Sequence, residues 1–90
     1  METTTENDYS KLSISELAWL IRQNWRSQGK QIYFGAVPYL DAMSCLQSVN
    51  DSYGCDSGRS IVAYFLGNAN TYKGETARAI KKELNKRLKR

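Results

Sequence analysis

The chain is predicted to be all-α, a small single-domain bundle of about four helices at roughly residues 13–27, 38–49, 57–66 and 73–88. Apolar residues recur at three- and four-residue steps through most of its length. A capping box stands where the first such series begins, and the one segment that would pass for a buried strand, residues 61–66, has no good partner strand. At 90 residues and 41 % apolar side chains the chain suits one core and leaves no room for a second domain. Residues 1–10 are expected to form an acidic, disordered tail and residues 11–90 the helical domain.

Ser13 and Glu16 have capping-box spacing, with Leu12 and Leu17 placed as a hydrophobic staple. The first helix then buries Ile14, Leu17, Ala18, Ile21 and Trp25, and Gly29 ends it. Residues 31–36 crowd β-branched and aromatic side chains between two glycines and read as an extended connector. Pro38 opens the second helix, with its fixed φ already helical, and Tyr39, Ala42, Met43, Leu46 and Val49 form its apolar face. Asp41 is expected in its first turn, complementing the helix dipole.

Residues 50–58 are a loop by composition, with Asp56 or Ser57 capping the third helix. That helix is apolar nearly all round and is expected to be the most buried, ending at Gly67. Thr71 or Lys73 is expected to open the fourth, whose buried stripe is Ala77, Ile80, Leu84 and Leu88.

Charge is concentrated in the fourth helix. Residues 73–90 hold eight Lys or Arg against Glu75 and Glu83, while the rest of the chain holds five cations and seven anions. Arg78, Lys82, Lys86 and Lys89 lie opposite the buried stripe and form a cationic ridge, a candidate polyanion-binding surface. On the first helix, Trp19 falls beside Arg22 and Arg26 rather than on the apolar stripe. This trio is a candidate partner-contact patch, because Trp and Arg are enriched at binding hot spots. In so small a protein, cover for Trp19 by another helix or by residues 32–34 is the competing expectation.

Several classes of chemistry are poorly supplied. There is no His, and Cys45 and Cys55 stand ten residues apart without a CxxC pattern, so no metal site is expected. Two reduced thiols are the expectation, Cys45 beside a helix face and Cys55 in a loop. The loop at 50–58 lacks the alternating oxygens and closing Glu of a calcium loop, and residues 54–60 lack the order of a phosphate-binding loop. Neither cysteine has an evident base, and Asp51 with Asp56 reads as a cap and a solvated charge, so no enzyme and no cofactor are expected. The longest apolar run is far short of the roughly 20 residues of a bilayer-crossing helix, and residues 1–8 lack the cationic and apolar regions of a secretory signal. A cytoplasmic protein without a membrane partner is expected.

Two functions remain in competition. A protein-binding module, acting as adaptor, inhibitor or accessory subunit, accords with six Tyr, two Trp and several Arg. Nucleic-acid binding through the basic helix accords with a net charge of +4 and a pI near 9.2. A helix-turn-helix is disfavoured, because Lys73 and Thr76 fall where that motif needs apolar residues.

Overall fold

The computed structural model describes residues 9–29 and 31–89, so the tail expected at residues 1–8 lies outside the described residues. Residues 9 and 10 belong instead to a 3-10 turn, Tyr9–Lys11. Four helices follow: α1, Ile14–Ser27; α2, Val37–Met43; α3, Gly58–Gly67; and α4, Glu75–Leu88.

Helix α1 starts where its capping box dictates. Ser13 Oγ accepts from Glu16 N at 3.1 Å, and Glu16 Oε1 accepts from Ser13 N at 2.8 Å. The two remaining orphan N–H groups of the first turn find partners far along the chain. Ile14 N donates to Gln47 O at 3.1 Å and Ser15 N to Leu46 O at 2.8 Å, so the start of α1 is fully satisfied. Helix α2 stops at Met43 rather than near residue 49, and the chain leaves it through tight turns from Cys45 N to Ala42 O and Leu46 N to Met43 O. Leu46 and Val49 are nonetheless buried as their period required. Because α2 begins at Val37, Asp41 lies past its first turn, and its carboxylate pairs with Arg22 of α1.

The connector expected to be extended at 31–36 ends in a 3-10 turn, Phe34–Ala36. The loop at 50–58 contains a minimal antiparallel hairpin of β1, Ser52–Tyr53, and β2, Asp56–Ser57, turned by Gly54 at φ 61° and Cys55. Asp51 organises the approach to it, with Oδ2 accepting from Gln47 N at 2.9 Å and Ser48 N at 3.2 Å. Gly58 then starts α3 pressed against this backbone: its N–H donates to Asp51 O at 2.7 Å, and a Cβ there would stand 2.9 Å from the carbonyl oxygens of Asp51 and Val49. Ser57 caps α3 through Ser60 N at 3.1 Å.

Helix α3 is less enclosed than its composition implies. Ile61, Val62 and Phe65 are buried, but Ala63 and Tyr64 face solvent. Its companions cover one side only, because α2 is short and no further helix is at hand among the described residues. Helix α4 opens at Glu75, two residues later than residue 73, because Gly74 at φ 112° and ψ 176° holds a non-helical conformation that a side chain at position 74 would strain.

Consecutive helices run antiparallel, and α4 closes against α1, giving an up-and-down ring. The end of α1 and the start of α4 meet through Gln28 Nε2, which donates to Lys73 O. Tyr72 holds the same end together. Its ring stacks on Trp25 with centroids 4.9 Å apart at 17°, and its hydroxyl donates to Asn24 Oδ1 at 2.9 Å. Lys81 Nζ donates to Ala69 O at 2.7 Å and Tyr72 O at 2.6 Å, fixing the α3–α4 connector. At the opposite end Arg59 Nη1 donates to Leu88 O at 3.1 Å, satisfying a carbonyl of the last turn of α4. Arg87 there joins Glu83 Oε2 at 2.7 Å to Tyr9 O at 2.8 Å.

Ser13→Ala should lower stability by about 1 kcal/mol, since it strips the oxygen from Glu16 N–H; thermal melts of the two proteins check this, and an unchanged midpoint would contradict the cap. Burial, with ionised Tyr9 adding to it, pushes the Tyr72 phenol up to about 12. The folded chain therefore keeps this proton longer than the unfolded chain, and the associated stability is full below about pH 10 and is lost as pH rises toward 12. Burial, then Lys73, lowers the Lys81 pKa, which acts oppositely: stability rises with pH below 10.5, and no slope remains above it. Urea unfolding at about pH 9 and about pH 11 should show the wild type losing about 1 kcal/mol more than Tyr72→Phe. Equal losses would refute the assignment.

Candidate functional site

Two surfaces foreseen from the sequence can be located on this frame. On α4, Ala77, Ile80 and Leu84 are fully buried, which turns Arg78, Lys82, Lys86 and Lys89 outward, and all four are exposed. From Arg78 to Lys89 the ridge runs about 16 Å at the helical rise. No carboxylate among the described residues lies within ion-pair distance of any of the four. Lys81 and Arg87, which share the basic segment, point the other way and are spent on backbone carbonyls and Glu83.

On α1 the expectation that Trp19 is covered fails, since its side chain is 60 % exposed. Residues 32–34 do not reach over it. The Tyr33 ring instead packs at Gly35, where a Cβ would stand 2.6 Å from that ring and 2.9 Å from Asn68 Oδ1. Arg22 and Arg26 do come together, lining with Gln31, Ile32 and Val37 an open cleft of about 480 Å³. Arg22 is engaged by Asp41, whereas Arg26 is exposed and bears no ion pair among the described residues. Trp19 borders a separate, shallow depression with Leu12, Glu16 and Leu20. The trio thus forms one helix face with a charged cleft on one side and an aromatic shelf on the other.

A third surface went unnoticed in the sequence. The Tyr33 and Phe34 rings lie 4.9 Å apart, and the Tyr39 and Tyr64 rings 5.6 Å apart, around the C-terminal end of α3. Phe34 is 79 % and Tyr64 56 % exposed. The available signal was the apolar character of residues 61–66 on every side of the helix wheel, which a short second helix cannot satisfy.

Among the described residues no three His, Cys, Asp or Glu gather as a metal would need. Asp51 is committed to backbone N–H groups, and Cys45 and Cys55 are exposed free thiols. Among the described residues no helix is long and apolar enough to cross a membrane. Comparison with known proteins finds no matching family model, no matching curated protein and no matching solved structure.

The two indoles differ in environment, one 60 % exposed and one fully buried. Acrylamide should therefore quench the emission in two classes, and Trp19→Phe should remove the accessible class alone. Uniform protection in the wild type would contradict the exposure of Trp19.

Proposed function

We propose that this chain is a small non-catalytic protein-binding module, an adaptor, inhibitor or accessory subunit, whose contact face is the outer side of α1. The observation that carries this reading is the exposure of Trp19 near Arg26, which bears no ion pair among the described residues, on a well-capped helix. An indole left in water offers a large apolar area and a donor at little entropic cost, and Trp and Arg are the side chains that most often anchor interfaces. Arg22, held by Asp41, orients the floor of the neighbouring cleft. Two exposed thiols suit a reducing compartment, which supports a cytosolic assignment.

A second reading has its own observation. The exposed Arg78, Lys82, Lys86 and Lys89 ridge has no carboxylate partner among the described residues, as a phosphate-binding surface would have none. The readings part in one experiment, affinity capture from the native host with and without nuclease. For a protein partner, retention should survive nuclease and fall by about 2 kcal/mol, roughly thirtyfold in Kd, in a Trp19→Ala, Arg26→Ala protein. For nucleic acid, nuclease should abolish retention. Replacing the four ridge cations by Gln should then flatten the salt dependence of binding by about 3–4 logarithmic units per decade of salt. Retention that survives nuclease but ignores the α1 substitutions would refute the assigned face.

A further inference from the structure

At the end of the bundle away from the Trp25–Tyr72 stack, a pocket of about 240 Å³ lies between Ser10, Leu12, the Ser48–Asn50 turn, Arg59 and Arg87. Its two guanidinium groups come from different helices, Arg59 from the start of α3 and Arg87 from the end of α4, and both side chains are partly buried. Each is already pinned. Arg59 Nη1 donates to Arg87 O at 3.5 Å and Leu88 O at 3.1 Å, and its Nη2 donates to Asn50 Oδ1 at 3.1 Å. Arg87 Nε donates to Glu83 Oε2 at 2.7 Å and its Nη2 to Tyr9 O at 2.8 Å. Among the described residues these bonds leave Arg59 Nε–H, a hydrogen on each Nη2 and the whole of Arg87 Nη1 without an acceptor. The neighbouring side chains are set the same way. Asn50 Oδ1 faces Arg59, which can only donate, so Nδ2 is the end of the amide that remains; Ser48 Oγ accepts from Asn50 N at 3.0 Å, so its own hydrogen remains to be given. No carboxylate is among the side chains that line the pocket.

We propose that this pocket binds a small organic carboxylate. A concave site whose guanidinium, amide and hydroxyl groups hold uncommitted donors, with no acid among them, selects an anion. Charge then selects which anion. Arg87 is balanced by Glu83, whereas Arg59 has no carboxylate within ion-pair distance among the described residues, so a single positive charge is left over. The carbonyls at the end of α4, which Arg59 covers, oppose any larger negative charge. A carboxylate matches on both counts: it brings one negative charge and two oxygens that a guanidinium fork takes side by side. A phosphate monoester, close to doubly charged at neutral pH, exceeds what the site balances. Leu12 and Val49 supply an apolar wall, and the pocket is larger than a bare carboxyl group, so the ligand carries a short hydrocarbon body. Capping α4 and tying down Tyr9 account for the bonds the two arginines already make, but not for two guanidinium groups on one pocket with donors uncommitted. Those same bonds fix both forks before a ligand arrives, so little ordering is needed on binding. The pocket includes neither Trp19 nor any cation of the α4 ridge, and it stands whichever of the two functional readings holds.

Titration of the intact, isotope-labelled chain with butanoate, followed by nuclear magnetic resonance, tests the proposal, with butanamide as the uncharged ligand of the same body. Butanoate should bind saturably with a Kd in the millimolar range, as befits so small a molecule, and should shift the Asn50 side-chain amide and Arg59 Nε signals. Butanamide and inorganic phosphate should each bind at least about tenfold more weakly. Asn50→Asp puts a carboxylate in the pocket while still accepting from Arg59, so it should keep the circular dichroism of the wild type yet weaken butanoate at least about tenfold. Replacing Arg78, Lys82, Lys86 and Lys89 by Gln should leave butanoate binding as it is. The wild-type titrations decide the matter even where a variant is unstable: shifts that do not saturate, that miss Asn50 and Arg59, or that butanamide or phosphate reproduces at equal strength overturn the proposal. So does a folded Asn50→Asp protein that binds butanoate as the wild type does, or binding lost with the ridge cations.

Discussion

The stack of Trp25 on Tyr72 is the contact on which the arrangement of this molecule depends. Trp25 closes the apolar stripe of α1, and Tyr72 sits in the connector that delivers α4, so their contact joins the first helix to the last. A stacked pair contributes about 0.5–1.5 kcal/mol beyond its buried area. Its larger effect is geometric, since three polar groups are set by it: Asn24 receives the Tyr72 hydroxyl, Gln28 reaches the Lys73 carbonyl, and Lys81 gathers the carbonyls of Ala69 and Tyr72. With that end closed, Ile80 and Leu84 must face the core and the cations at 78, 82, 86 and 89 must face water. Trp25 Nε1 is buried without a hydrogen-bond partner among the described residues, an offsetting cost of about 1–3 kcal/mol where the ring packs.

At the other end the constraint is on backbone rather than rings. The carbonyls of residues 46 and 47 fill the open start of α1, and Arg59 fills the open end of α4, so each terminus is completed by an element distant in sequence. Helix α2 ends at Met43, and the chain between it and α3 is a turn and a hairpin. Asp51 and Gly58 then serve the turn, which is why the two loop acids do not act together.

How much of this was legible follows from the range of each interaction. The box of Ser13 and Glu16, the Ser57 cap and the stripes through Leu17, Ile21, Trp25, Ile61, Phe65, Ile80 and Leu84 are local, and a short window of sequence contains them whole. The start of α4 and the burial of Tyr72 depend on partners some 30 to 50 residues away, and no local period carries them. Sites divide in the same way. The α4 ridge is a local pattern and lies where its period puts it. Exposure of Trp19 is not local, because it turns on where Tyr33 and Phe34 go, and a glycine at 35 sends them to α3.

That diversion links the α1 surface to the aromatic one. Had residues 32–34 crossed α1, Trp19 would be buried and the end of α3 would be bare of Tyr33 and Phe34. Packing Tyr33 against Gly35 and Asn68 instead exposes the indole and completes the neutral aromatic face at once. The chain thereby separates its charges from its largest apolar exposure, with cations on the outer sides of α1 and α4 and none between residues 31 and 40 or 60 and 72.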